Sequence, residues 1–174
     1  MDTVIAIGEP LPDFALPALD GFVHRLSAYR GRLALVNFWS AECEWCRRVD
    51  GLLLPALAAW TPQVQLIPIA ANPGEPDELL RRTAAERGLP FVLRDARQEV
   101  VALYGAQATP HFFLADREGI LRYQGAFDDV TFRQRTPTRS YLVEAVQALL
   151  SGKEPPVAHS AAYGCAITPF LEVK

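Results

Sequence analysis

The hydrophobic pattern of the chain alternates between continuous apolar runs and segments whose apolar residues recur at helical spacing. The two longest runs, Leu33–Trp39 and Val64–Ala70, are too uniformly apolar for strands with one face in water. They are typical of strands buried on both faces, as in parallel sheets that are covered by helices. Pro68 is an unusual residue inside such a strand, because it cannot donate a ladder hydrogen bond.

Helical periodicity follows the first run. A helix is predicted from Cys43 to about Trp60, with Pro55 inside it as the expected site of a kink. Further helices are predicted over residues 75–87, 96–104 and 141–150, ended by Gly88, Gly105 and Gly152 respectively. Short strands are predicted over residues 22–26 and 91–93, and a hairpin over residues 111–115 and 121–124.

This order of elements predicts an α/β fold with a mixed central β-sheet and helices on both faces. We expect one domain over residues 1–151, in which residues 1–20 run extended along an edge. Residues 152–174 contain three prolines and no clear periodicity, and they are interpreted as a C-terminal tail on the surface.

Composition narrows the class of protein. Half of the 174 residues are apolar and 21% are charged, which is typical of a globular domain. A net charge of −3 with scattered arginines gives no nucleic-acid footprint, and no apolar run is long enough for a membrane span. The N-terminus lacks the pattern of a secretory signal, so we expect a cytoplasmic protein, or a periplasmic one if a signal segment was removed. Nothing requires an oligomer, and a monomer is expected.

The candidate chemistry is the pair Cys43 and Cys46, directly behind the first buried strand. Two thiols three positions apart at the start of a helix can close a disulfide with little backbone movement. The N–H groups and positive end of the helix stabilise a thiolate. The pair is therefore predicted to be a solvent-open site of thiol-disulfide exchange that needs no bound cofactor or metal.

The segments that hold these cysteines resemble a known family. Residues 37–46 (Asn-Phe-Trp-Ser-Ala-Glu-Cys-Glu-Trp-Cys) are similar to the active-site segment of the thioredoxin superfamily, and residues 109–119 to its cis-proline strand and turn. The similarity is greatest to the redoxin branch, which includes cytochrome-maturation thioredoxins and relatives of the thiol-specific antioxidant proteins. It implies a thioredoxin-like fold and exchange with a protein dithiol or disulfide and a redox-partner protein.

The resemblance also implies roles for individual residues. Cys43 attacks and Cys46 resolves the mixed disulfide, while Thr109, before a cis Pro110, offers backbone hydrogen bonds to a peptide. Trp39, Glu44 and Trp45 flank the thiols; Trp39 is expected at the edge of the core and Trp45 at the surface. The acidic side chains at positions 42 and 44 would raise the pKa of the attacking thiol, and the arginines at 47 and 48 would lower it.

Two further residues are possible accessories to the site. Asn37 stands where general reductants of the superfamily carry a buried aspartate, and an amide cannot accept a proton from the resolving thiol. Removal of the proton from the resolving thiol then needs water or another carboxylate. An asparagine at this position is similar to what the cytochrome-maturation branch shows. Cys165, the odd thiol, is either a third redox thiol that folds back towards Cys43 or an inert buried residue.

Three alternatives stay open. A peroxidase of the peroxiredoxin type would need a proline and a threonine ahead of the cysteine, where this chain has Val36 and Ser40. A zinc-binding module would draw its ligands from the three cysteines and His111. A third alternative is a thioredoxin-like binding module without catalysis, against which the intact cysteine pair argues.

Overall fold

The computed structural model describes residues 4–172 and contains the mixed sheet that the sequence predicts. Its strands are β1 (Ala15–Pro17), β2 (Val23–Arg25), β3 (Leu33–Trp39), β4 (Val64–Ala70), β5 (Leu93–Arg94), β6 (Ala108–Thr109), β7 (His111–Ala115), β8 (Leu121–Gly125) and β9 (Cys165–Ala166). Its helices are α1 (Glu44–Trp60), α2 (Asp77–Arg87), α3 (Glu99–Tyr104) and α4 (Tyr141–Leu150). The central sheet has the order β5-β4-β3-β7-β8. Strands β3, β4 and β5 run parallel, while β7 and β8 pair antiparallel.

The central strand β3 is buried at all seven positions, as its uniform apolar sequence predicts. Because side chains alternate across a strand, Leu35 and Trp39 pack into one core and Val36 and Phe38 into the other. The first core contains residues of α1, α2 and α4, and the second contains α3 and the N-terminal segment. Helices therefore cover both faces, and Pro68 is accommodated inside β4.

Several element boundaries differ from the prediction. Helix α3 begins at Glu99 rather than at residue 96, because the Asp95 carboxylate accepts hydrogen bonds from the N–H groups of residues 99, 100 and 101. Helix α2 begins at Asp77 instead of residue 75, and β2 and β5 are shorter than predicted. Gly88 ends α2 in the left-handed conformation, as expected of a C-terminal glycine.

The described parts of the N-terminal segment and of the tail both contact the rest of the domain. In the N-terminal segment, β1 pairs with β2 in a separate hairpin, and Pro10 bridges to Ile120 beyond the turn after β7. In the tail, β9 pairs antiparallel with β6, a contact that no periodicity indicated. Residues 1–3 of the predicted edge extension and residues 173–174 of the predicted tail lie outside the described residues. Among the residues described, no helix combines the length and apolar character required to cross a membrane.

Candidate functional site

The two cysteines of the pair lie where β3 leads into α1. Cys43 is the N-cap residue of α1, which begins at Glu44, one position after the predicted start, and Cys46 lies in the first turn. The Cys43 carbonyl accepts the N–H of Arg47 at 3.0 Å, which anchors the cap to the helix. Both thiols, and that of Cys165, are free in this structure.

The predicted exposure of the site is wrong. Cys43 is only 3% exposed and Cys46 is fully buried. A thiol at a helix N-cap usually meets solvent, but here the C-terminal tail crosses in front of it. Strand β9 lies beside β6, with Cys165 opposite Thr109. Cys165 packs against the core cluster that contains Cys43, so the tail contributes to the burial of this thiol.

The environment splits the pKa values of the two thiols of the pair. The largest influence on the pKa of Cys43 is the hydrogen-bonding effect of the neighbouring Cys46 thiol, which lowers it. Burial raises this pKa, but Cys46 and the smaller contributions of Cys165 and Thr109 outweigh burial and lower the pKa of Cys43 to about 4. Burial, together with the neighbouring Cys43, raises the pKa of Cys46 well above its usual range. Cys43 is thus the thiolate and Cys46 the protonated thiol. Sequence reasoning weighed the flanking charges, whereas the neighbouring thiols have the larger effect.

The cis-proline expected from the resemblance is present. The Thr109–Pro110 peptide bond is cis, and Cys43 Sγ lies 3.2 Å from the Thr109 carbonyl oxygen, which accepts a hydrogen bond from this thiol in its protonated form. The Thr109 hydroxyl is buried and has no hydrogen-bond partner within residues 4–172. It acts to lower the pKa of both thiols of the pair.

Trp39 connects the site to a buried carboxylate that the sequence analysis missed. Trp39 is fully buried, deeper than the core edge expected, and its indole N–H donates to Asp50 Oδ2 at 2.9 Å. Arg87 also donates to this oxygen at 2.9 Å, while Asp50 Oδ1 has no partner among the residues described. Burial raises the pKa of Asp50, and the negative charge of Cys43 adds to the rise.

Asp50 lies in α1 together with Cys46. It lies four residues after Cys46, so the two side chains share one face of α1. A cleft of about 600 Å³ between α1 and α2 is lined by Asp50, Arg47 and Arg87 and connects the carboxylate with solvent. The helical spacing Cys46–Asp50 is the signal by which the sequence could have revealed this carboxylate.

Asn37 lies inside β3, fully buried, and neither atom of its side-chain amide has a hydrogen-bond partner in the described part of the chain. Unpaired buried polar groups are costly, and they concentrate at sites where function retains them. The structure thus shows Asn37 as a neutral residue beneath the site, and Asp50 as the nearby carboxylate that can accept a proton.

A second buried carboxylate fixes the loop before α1. Glu75 Oε2 accepts the backbone N–H groups of Ala41 at 2.7 Å and Glu42 at 3.3 Å, and Asn72 donates to its other oxygen. Glu75 is 2% exposed, although the sequence placed it at the start of a helix. Its carboxylate holds the chain that leads into Cys43.

Of the two residues between the thiols, one is exposed to solvent and the other packs against the tail. Glu44 is the exposed first residue of α1. Trp45, expected at the surface, is half-buried, because its ring meets Phe132 at 5.4 Å and Tyr163 at 5.0 Å, edge to face. The Tyr163 hydroxyl also accepts the backbone N–H of Phe132. We name Trp45, Phe132 and Tyr163 the aromatic clamp, since they fasten the tail over the site.

The residues that the structure describes do not provide a set of ligands for a zinc ion. His111 is buried against Phe113, and its Nδ1 accepts the backbone N–H of Gln107. Burial lowers the pKa of His111 to about 4. Across residues 4–172, no three His, Cys, Asp or Glu side chains are grouped so that they could hold a metal ion.

Comparison with known proteins defines the class and then the family. The structure superposes on hypothetical protein SMc02350 from Sinorhizobium meliloti 1021 with a TM-score of 0.87 and 30% identity over 98% of each chain. It superposes on the thioredoxin domain of a thiol-disulfide oxidoreductase from Bacteroides vulgatus with a TM-score of 0.62, over 75% of this chain and 93% of that one. At 22% identity the second likeness shows the fold alone, and it confirms the thioredoxin-like fold class.

The AhpC/TSA family profile matches residues 7–124, and the chain belongs to this family. The thiol-disulfide oxidoreductase ResA of Geobacillus thermodenitrificans is 36% identical over 118 residues, which are 67% of each protein. The thiol:disulfide interchange protein DsbE of Pseudomonas fluorescens biotype C is 30% identical over 154 residues, 86% of this chain and 80% of that protein. The resemblance to the redoxin branch of the thioredoxin superfamily is thereby confirmed.

Proposed function

We propose that this protein is a thiol-disulfide oxidoreductase that exchanges a disulfide with a protein partner through Cys43 and Cys46. The observation that carries the proposal is the placement of Cys43 at the N-cap and Cys46 in the first turn of α1, beside the cis Thr109–Pro110 bond; this environment lowers the pKa of Cys43 and raises that of Cys46. Exchange needs a thiolate to attack and a second thiol nearby to resolve. The relatives ResA and DsbE bear names of this activity.

The reaction follows from the positions of the side chains. The Cys43 thiolate attacks a sulfur of the partner disulfide, and the other partner sulfur leaves. Cys46 then loses its proton and attacks Cys43 Sγ, which releases the second partner sulfur and closes the Cys43–Cys46 disulfide. Asp50 is the buried carboxylate on the same helix face that can receive the Cys46 proton, through water from the cleft between α1 and α2.

Variants of the two cysteines test the proposal. Cys43→Ser should abolish reduction of a disulfide-bonded protein, because the attacking thiolate is gone. The double variant Cys46→Ser/Cys165→Ser should accumulate a mixed disulfide between Cys43 and the substrate, visible by mass spectrometry without reductant, because no second thiol remains to resolve it. Cys165→Ser is the matched control and should retain most of the exchange, since the pair is intact. Full exchange by Cys43→Ser would refute the assignment.

A thiol peroxidase is the second candidate, and the AhpC/TSA family assignment is the observation in its favour. Against it, Val36 lies inside buried β3 where the peroxidase motif carries its proline. The relative rates discriminate the two activities. Exchange predicts that a disulfide substrate oxidises the pair faster than hydrogen peroxide converts Cys43 to a sulfenic acid; the reverse order would establish a peroxidase.

Two measurements extend the proposal to the direction of electron flow and to the compartment. The equilibrium reduction potential of the Cys43–Cys46 couple fixes the direction, because reductases and oxidants of this class have well-separated potentials. Cell fractionation tests the cytoplasmic location expected from the sequence against the periplasmic one.

A further inference from the structure

The tail is fastened to the domain on both sides of Cys165. Before it, the Ser160 hydroxyl contacts the Tyr123 hydroxyl at 2.7 Å and accepts the backbone N–H of Ala126 at 3.0 Å. After it, the backbone N–H of Thr168 donates to the Asn72 side chain at 2.9 Å, and residues 168 and 170 both bond to the side chain of Gln98. With the aromatic clamp between these anchors, the path of the tail across the site is fixed by many specific contacts.

The tail fills the place of a bound peptide. Strand β6 is only two residues long, and β9 pairs with it antiparallel, Ala108 opposite Ala166 and Thr109 opposite Cys165. An extended peptide that adds to an open strand edge makes this same kind of backbone pairing. Gly164 lets the tail and β6 approach closely, because a Cβ at this position would lie 2.0 Å from the Thr109 carbonyl oxygen. The tail therefore occupies this edge as a substrate strand would.

The register of β6 and β9 places the Cys165 thiol near the Cys43 thiol. Thr109 lies opposite Cys165 in the ladder, and the same residue's carbonyl oxygen is 3.2 Å from Cys43 Sγ. The Cys165 side chain packs against the core cluster that contains Cys43 and Cys46, and burial together with the neighbouring Cys43 raises the pKa of the Cys165 thiol to about 11 while all three thiols are free. Unlike fully buried Cys46, Cys165 is partly exposed.

We propose, on the basis of the function proposed above, that Cys165 is a third redox thiol. It can replace Cys46 as the disulfide partner of Cys43. In the oxidised pair, the Cys165 thiolate attacks Cys43 Sγ. The Cys43–Cys165 bond forms and the Cys43–Cys46 bond breaks, and Cys46 leaves as a thiolate that takes up the proton lost by Cys165. No electrons are gained or lost, so the two disulfides are isomers of one oxidation state.

The two isomers differ in access to the site. In the Cys43–Cys165 form the tail is covalently closed over β6, so no peptide can pair with Thr109. In the Cys43–Cys46 form only non-covalent contacts hold the tail, and a partner can displace it. Cys165 thus takes the position of a partner's cysteine and protects the oxidised protein until a partner competes.

The test uses the full chain with Cys46→Ser and glutathione disulfide as the probe. Glutathione first forms a mixed disulfide with Cys43. Cys165 should then displace it, giving a monomer in which peptides containing Cys43 and Cys165 are cross-linked. We expect the adduct to disappear at least about tenfold faster than in the double variant Cys46→Ser/Cys165→Ser, because an adjacent thiol reacts intramolecularly.

A shifted thiol provides the matched control. In Cys46→Ser/Cys165→Ala/Ala166→Cys the thiol moves one residue along β9 and so to the opposite face of the strand. This variant should keep the glutathione adduct as long as the double variant does. Equal loss of the adduct from the shifted and the native thiol would overturn the proposal, because it would show chance collision rather than a built position.

The wild-type protein provides a second measurement that does not depend on a variant's folding. Acid-quenched during oxidation, it should contain the Cys43–Cys165 cross-link beside the Cys43–Cys46 disulfide. A wild-type protein that exchanges disulfides normally, with no such cross-link and a stable adduct in Cys46→Ser, would overturn this inference alone. Loss of all exchange at Cys43 would instead overturn the proposed function, and the inference with it.

Discussion

Gly164→Ala is the sharpest perturbation of the closed site. A Cβ at Gly164 would meet the Thr109 carbonyl oxygen at 2.0 Å and Pro110 Cδ at 3.1 Å. Ordinary contact between non-bonded heavy atoms begins near 3.5 Å, so the tail and β6 must separate by roughly 1 Å or more. A shift of that size lengthens the hydrogen bonds between β6 and β9 beyond useful geometry.

The size of the effect follows from those bonds. A two-residue antiparallel ladder has about two hydrogen bonds, each worth about 1 kcal/mol net, so closure weakens by about 2 kcal/mol. Since 1.4 kcal/mol is a factor of ten, the open fraction of the tail should rise about 30-fold. Gly164→Ala should therefore raise the rate at which iodoacetamide alkylates Cys43 in the reduced protein by about that factor.

The assay is peptide mass mapping of Cys43 at successive times, with the melting temperature measured in parallel. Gly51→Ala is the matched control, because a Cβ at Gly51 meets nothing within 4 Å and its methyl group adds helix propensity to α1. That variant should leave the alkylation rate unchanged. A folded Gly164→Ala protein with the wild-type alkylation rate would refute the argument that the tail controls access to Cys43.

Three further predictions concern the surrounding residues. Asp50→Asn should slow release of the mixed disulfide by about 100-fold and change its pH profile, with little effect on the first attack, because general-base help is lost; stopped-flow kinetics separate the two steps. Folding lowers the pKa of Cys43 from 9.0 to about 4, so the stabilisation that its thiolate gives the reduced fold is complete above pH 9 and lost as pH falls through 4. The free energy of unfolding of the wild type minus that of Cys43→Ser should therefore rise with pH between these two values. A difference that does not change with pH would contradict the lowered pKa of Cys43. Trp45→Leu removes the edge contact with Tyr163, worth about 1 kcal/mol, and should raise Cys43 alkylation about fivefold; no change would show that the aromatic clamp does not hold the tail.

Cys43 and Asp50 show how far local sequence patterns reach. Cys43 was correctly placed at the start of a helix, because a buried strand followed by helical periodicity is a local pattern. Its exposure was predicted wrongly, because the segment that covers it lies 122 positions further along the chain and carries no periodicity. Asp50 was overlooked because a lone aspartate among apolar helix residues does not reveal whether tertiary contacts bury it.

The amino-acid sequence by itself determined the order of strands and helices, the mixed sheet, the redox pair and the cis-proline segment. These follow from patterns within short stretches, where burial and backbone preference repeat with a fixed period or a family motif. Only the tertiary structure decided that the tail pairs with β6, that Cys165 packs against the core cluster of Cys43 and Cys46, and that Asp50 is buried. Such contacts join residues that are distant in sequence, and their energies depend on distances that no local pattern encodes.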